Sequence, residues 1–189
     1  MIKIVDKAGI LSGAEVARLQ RFVAERCFSR VKDRSWVKHI LIRRDGPTDY
    51  LGYWTAQSVR EGAWLRRFES VIVLNATYLL TVDAMEEVLA HEYGHNWTLG
   101  YLMMWEIVER PRKQRAPWLY YRIRRLDPDD FVCDYSNGWN YCDKEVLAED
   151  YRFLLTTYRE NYAMENLVGL PSSEVRTYLE RLGRPIWER

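Results

Sequence analysis

A chain of 189 residues is about the size of one domain, and with 48% of its residues hydrophobic and 14% aromatic it can bury a sizeable core. There is no low-complexity tract and no internal repeat, so composition excludes a disordered or repetitive protein. The formal net charge of +1 says nothing about partners. A single globular unit is expected, with two lobes at most.

The opening "MIKIVDKAGILSGAEVARLQ" lacks the uninterrupted apolar core of a signal peptide, and no later run approaches the length of a membrane span. The chain as it stands is therefore expected to be soluble, with no membrane partner. It is cytoplasmic as written, or secreted if a leader was removed. Cys27, Cys133 and Cys142 form no CxxC pair, and three thiols argue against a disulfide framework. Free thiols in a reducing compartment are the expectation, although Cys133 and Cys142 flank a short loop and could pair under oxidising conditions.

Ser12 followed by Glu15 is a capping-box signature, and Val16, Leu19, Val23 and Cys27 recur at helical spacing, which predicts an amphipathic first helix. "WVKHILI", Trp36 to Ile42, alternates and is rich in β-branched residues, as a strand should be. "DGPTDY" then breaks it. A second strand is read in "SVIVLN", ending near Asn75. Asp83 with Glu86 marks the start of a helix running from about Ala84 to at least Trp97. "ERPRKQRAPWLYYRIRR", Glu109 to Arg125, is Pro-interrupted and basic, and reads as a loop or insertion leading into irregular structure. A strong helix follows from Asp143. A last one begins near Ser173 and stops at Gly183, ahead of Pro185.

Inside the second of these helices lies "VLAHEYGHNW". Residues i and i+4 of a helix project from one face, so His91 and His95 can aim imidazole nitrogens at a common point about 2 Å from each, and zinc is the natural occupant. Glu92, beside the first histidine, is placed to take a proton from water at such a centre. The HExxH pattern needs a third protein ligand to become a site. No histidine follows His95, and Thr98 and Tyr101 hold the positions where a metzincin extension would need glycine and histidine. His39, on a predicted strand, reads as an ordinary strand histidine. The third ligand is then a carboxylate, and "KEVLAEDY" supplies Glu145 and Glu149 on one helix face. Glu145 is assigned to the metal and Glu149 to orienting His91 or its neighbour from behind. Two glutamates on a helix, taken alone, would read as a solvated face.

"HEYGHNW" followed by "EVLAEDYRFL" resembles the gluzincin metallopeptidases, and within them the group of the anthrax lethal factor catalytic domain and the Pro-Pro endopeptidases, whose ligand helix has the form E-x-x-A-E-x-aromatic. The likeness covers both ligand helices and is weak elsewhere. It implies an α+β, zincin-like fold: a single catalytic domain with a mixed sheet and the active-site helix in an upper lobe of about 1–99, and a mainly helical lower lobe of about 100–189. It also implies hydrolysis of a peptide or protein substrate with Zn2+ held by His91, His95 and Glu145, and Glu92 as base. Relatives place a tyrosine seven residues before the ligand glutamate to meet the developing oxyanion. That position is Gly138 here, and Tyr135 and Tyr141 bracket it. Tyr135 is favoured, since a short insertion in "SNGWNYC" would bring it into register.

Substrate is expected to lie extended along an edge strand, the one containing Val71 to Leu74. Two rival readings stand beside this one. A regulator-cleaving metalloprotease would share the two motifs, but some fifty residues separate them here, more than that compact group is expected to have. A nucleic-acid-binding protein with a non-catalytic zinc centre would use "RPRKQR" and "WLYYRIRR", basic and aromatic together. Nearby Asp127, Asp129 and Asp130 and the neutral overall balance set nucleic acid aside. Nothing in the sequence fixes oligomeric state or side-chain preference.

Overall fold

The computed structural model describes residues 2–61, 64–104 and 116–184. The chain is α+β, with one mixed four-stranded sheet. It divides into two compact units, Met1–Asn96 and Trp97–Arg189, the boundary falling inside one long helix. No helix among the described residues is long and apolar enough to cross a membrane.

The first unit runs β1 (Ile4–Asp6), α1 (Gly13–Arg26), α2 (Val31–Trp36), β2 (Val37–Arg43), β3 (Gly52–Glu61), β4 (Trp64–Asn75) and the opening turns of α3 (Val82–Met104). The Asp6 carboxylate ends β1 by accepting the N–H groups of Gly9, Ile10 and Leu11, which turns the chain toward α1. The expected capping box then starts that helix: Ser12 Oγ accepts from the Glu15 N–H at 3.3 Å, and the Glu15 carboxylate accepts from the Ser12 N–H at 2.7 Å. Its apolar stripe buries Leu19, Phe22 and Val23.

Trp36 closes α2 instead of opening the strand, and Val37, Ile40 and Ile42 of β2 go into the core. The six-residue α2 has no readable period. It forms around Asp33, whose fully buried carboxylate accepts the Arg30 N–H. The sheet order is β1-β2-β4-β3, with β1, β2 and β4 parallel and β3 antiparallel to β4. Val71 to Leu74 therefore belong to an interior strand: Ile72 lies between Ile40 on one side and Trp54 on the other. Its backbone groups are consumed by two neighbours, so the expectation that this segment offers a free edge is corrected. The antiparallel edge strand is β3.

The alternation of antiparallel hydrogen bonds gives that edge a direction. The Asn75 N–H donates to the Leu51 carbonyl at 2.8 Å, which makes this pair a hydrogen-bonded one. The pattern alternates along the register, so Tyr53, Thr55 and Gln57 turn their backbone groups to β4, while Gly52, Trp54 and Ala56 turn theirs away from it.

Thr81 and not Asp83 caps α3, accepting the Ala84 N–H at 3.3 Å. Asp83 sits in the first turn, where it pairs with Arg18. Arg18 and Arg26 of α1 also converge on Glu86, which is buried.

The second unit holds the end of α3, then α4 (Trp118–Arg124), a 3-10 turn (Trp139–Tyr141), α5 (Asp143–Leu155), α6 (Glu165–Val168) and α7 (Ser173–Leu182). Residues 109–115 of the basic segment lie outside the described residues. Its latter part is a helix and not a loop. Pro117 caps α4, and Tyr120, Tyr121 and Arg124 turn inward from it. The Arg124 guanidinium donates to the buried Asp150 carboxylate on α5, which also accepts from the Tyr120 and Tyr162 hydroxyls. An arginine held in this way is withdrawn from any role in binding a phosphate backbone. The indole of Trp97 donates to the Leu179 carbonyl of α7 at 2.9 Å; that helix starts at Ser173, capped by Ser172, and stops at Gly183 where expected.

Candidate metal centre

The direction in which α3 presents its two histidines is fixed by what its other residues hold. Tyr93 and Asn96 are fully buried. The Tyr93 hydroxyl donates to the Asp33 carboxylate. The Asn96 amide donates to the Asp33 carbonyl at 3.1 Å, and its oxygen accepts from Ser70 Oγ at 2.7 Å and from the Trp54 indole at 3.4 Å. With 93 and 96 pinned to α2, β3 and β4, helical geometry decides where 91, 92 and 95 point. The His91 and His95 rings stand edge to face, centroids 5.1 Å apart. His95 and Glu92 are each only 6% exposed, and His91 is half-buried.

Gly52 brings β3 close against this helix. A Cβ there would lie 2.7 Å from Val88 Cγ1, 2.9 Å from the Val73 carbonyl oxygen and 3.3 Å from Glu92 Cγ. No side chain fits without moving the strand or the helix. Gly52→Ala is expected to cost about 1–3 kcal/mol of stability through overpacking, read as a lowered urea midpoint.

Glu145 sits in the first turn of α5 and is 4% exposed, and Glu149 one turn on is 3% exposed, so the solvated-face reading fails for both. The two carboxylates have different company within their unit. Glu149 takes the Arg152 guanidinium at 2.6 and 2.9 Å and the Ala163 N–H at 3.0 Å. Arg152 in turn donates to the carbonyls of Tyr158, Glu160 and Asn161, tying the loop after α5 to the helix. Glu145 accepts from the Tyr135 hydroxyl at 2.6 Å.

That bond separates the two candidate tyrosines. Tyr135 occupies the left-handed region at φ 62°, is 45% exposed, and has Lys144 Nζ 4.1 Å from its ring centroid. Its hydroxyl reaches the predicted ligand carboxylate. Tyr141 packs its ring on Phe131 at 5.5 Å. Gly138, at φ 98°, caps the 3-10 turn in a conformation that disfavours a side chain.

Among the described residues, His91, His95 and Glu145 form the group able to hold a metal ion, each offering one ligand atom, and these atoms all lie within 4.8 Å of one another. In a tetrahedral site with bonds of about 2.1 Å the ligand atoms are separated by roughly 3.4 Å. Two imidazoles and a carboxylate suit zinc and other borderline divalent metals. His39 is not in the group. It lies on β2 opposite Val71, and burial, with the cations Lys38, Lys3 and Lys7 around it, pushes its pKa down.

All three cysteines are free thiols. Burial, and then the charge of Glu145, push the Cys142 thiol up to about 12. Burial likewise raises Cys27. Both stay protonated and enclosed, so alkylation of the folded protein at pH 8 is expected to label Cys133 first and leave Cys27 and Cys142 unmodified until unfolding. Peptide mapping after a short iodoacetamide pulse checks this.

Several contributors gave no sequence signal. Gly52 and Trp54 sit in a segment with no apolar alternation, and Asp33 and Asn96 look like surface polar residues until their partners are known. No family model, no curated protein and no solved structure matches the chain.

Proposed function

We propose that this chain is a zinc-dependent endopeptidase with a zincin-like fold, of the gluzincin type, in which His91, His95 and Glu145 hold the metal and Glu92 is the general base. The observation that carries the reading is the grouping of those three ligand atoms within 4.8 Å, with a buried carboxylate next in sequence to the first histidine. Zinc bound there would supply Lewis acidity, polarising a peptide carbonyl and lowering the pKa of a water molecule.

The rest falls to the chain's own residues. Glu92 takes a proton from the attacking water as its oxygen bonds to the carbonyl carbon. It then passes that proton to the amine nitrogen as the carbon–nitrogen bond breaks. Tyr135, whose hydroxyl stands on Glu145, is the donor assigned to the oxyanion that develops on the former carbonyl. The edge strand β3 is the docking rail: the outward backbone groups of Gly52, Trp54 and Ala56 can pair with an extended peptide, and Gly52 brings that rail against Glu92. Glu149, which accepts from Arg152, is the residue assigned to accept the free N–H of His91 or its neighbour.

The test is digestion of a peptide library by zinc-loaded protein beside a chelated control, with metal content measured on the purified protein. Cleavage that disappears on chelation and returns with zinc supports the reading. Metal-independent cleavage, or none with a full complement of zinc, overturns it. Tyr135→Phe is expected to lower kcat about 10²–10³-fold with little change in KM, since it removes a donor to the substrate that acts as charge develops. Steady-state kinetics on a cleaved library peptide would show this.

A further inference from the structure

We propose that Trp54 is a positioning residue for His95, a role that rests on the metal-binding reading above. Its indole lies along the imidazole with ring centroids 6.2 Å apart and planes 28° from parallel, the offset-stacked arrangement that aromatic rings favour. The His91 ring, by contrast, stands at 85° to that of His95.

The indole is itself held. Its N–H donates to Asn96 Oδ1, and that fully buried amide is locked by Ser70 and by the Asp33 carbonyl. Phe68, also buried, packs on it at 6.4 Å. The torsion that rotates an imidazole about its Cβ–Cγ bond is broad and soft, so a histidine on a rigid helix can still present its nitrogen in the wrong direction. A flat ring parallel to the imidazole and fixed at its far end narrows that torsion. Histidine ligands are commonly oriented by hydrogen bonds to their second nitrogen. Here a tryptophan on the edge strand adds a restraint on the plane of the ring.

Cobalt(II) tests this without any substrate, because its visible absorption bands report ligand geometry. Parent, Trp54→Phe and Trp54→Leu are titrated with cobalt, and affinity and spectrum are recorded with thermal stability. Trp54→Leu, which fills space without a flat face, is expected to bind cobalt about 10–100-fold more weakly, the usual scale for losing an orienting neighbour, with shifted bands. Trp54→Phe retains a flat ring and is expected to restore the parental spectrum and most of the affinity. If Trp54→Leu does not fold, Trp54→Met takes its place.

A leucine or methionine variant with parental bands and affinity overturns the role of Trp54. So does a phenylalanine variant as altered as the aliphatic one, because space-filling alone would then account for the effect. A parent that takes up no cobalt overturns the metal centre itself, and this role with it.

Discussion

Glu92→Gln is expected to bind zinc as the parent does and to hydrolyse peptides about 10²–10⁴-fold more slowly, the range by which a positioned base accelerates proton transfer. The substitution keeps shape and volume in a tight place: Glu92 is 6% exposed, and its Cγ would be 3.3 Å from any Cβ placed on Gly52. An amide fills that space as a carboxylate does but cannot take a proton from water. Since Glu92 is not one of the three grouped ligands, metal content should not change. Metal analysis and library digestion on the same preparation separate the two effects. Parental activity in the mutant would remove Glu92 from the mechanism, and loss of zinc would make it part of the coordination instead.

The parts of the fold that were legible in sequence are those whose own residues carry the period. α1 is announced by Ser12 and Glu15, and α7 by its bounds near Ser173 and Gly183. The histidine helix was legible in position but not in its cap, because Asp83 was expected to cap it and Thr81 does so while Asp83 pairs with Arg18. β3 is missed because an edge strand needs no apolar alternation: among the described residues "GYWTAQSVRE" pairs with one neighbouring strand. The same physics explains why "SVIVLN" was misjudged as an edge. Consecutive apolar residues mean burial on both faces, which belongs to an interior strand, and β4 is one.

For the candidate site, motif spacing gave the two histidines and the two glutamates, since helices convert spacing into direction. It favours Tyr135 over Tyr141 only through a supposed insertion, because where the Tyr135 hydroxyl lies depends on a turn in which Tyr135 itself adopts a positive φ. Nor could it show Asp33, Ser70 and Asn96 as a buried network, since each becomes meaningful only through a partner at least 26 residues away.

Glu145→Ala is expected to weaken zinc binding by more than the roughly 10–100-fold that loss of an outer-shell partner costs, because it removes a ligand atom outright. Two imidazoles on one helix would then hold the ion with the remaining positions filled by water. The Tyr135 hydroxyl loses its acceptor in the same step, so hydrolysis by fully zinc-loaded mutant should fall as well. Folding should change less than binding. The side chain lies in the first turn of α5, where a negative charge contributes about 0.3–1 kcal/mol through the helix dipole, while Val146, Leu147 and Tyr151 of that helix remain fully buried. Competition with a chromophoric chelator measures the affinity, and a thermal melt on the chelated protein measures the fold without the metal's contribution. A mutant that holds zinc as tightly as the parent would take Glu145 out of the coordination sphere. A mutant that melts far earlier when both are metal-free would make Glu145 a structural residue of α5. Weakening beyond that outer-shell range together with a nearly parental metal-free melt is the combination expected of a ligand.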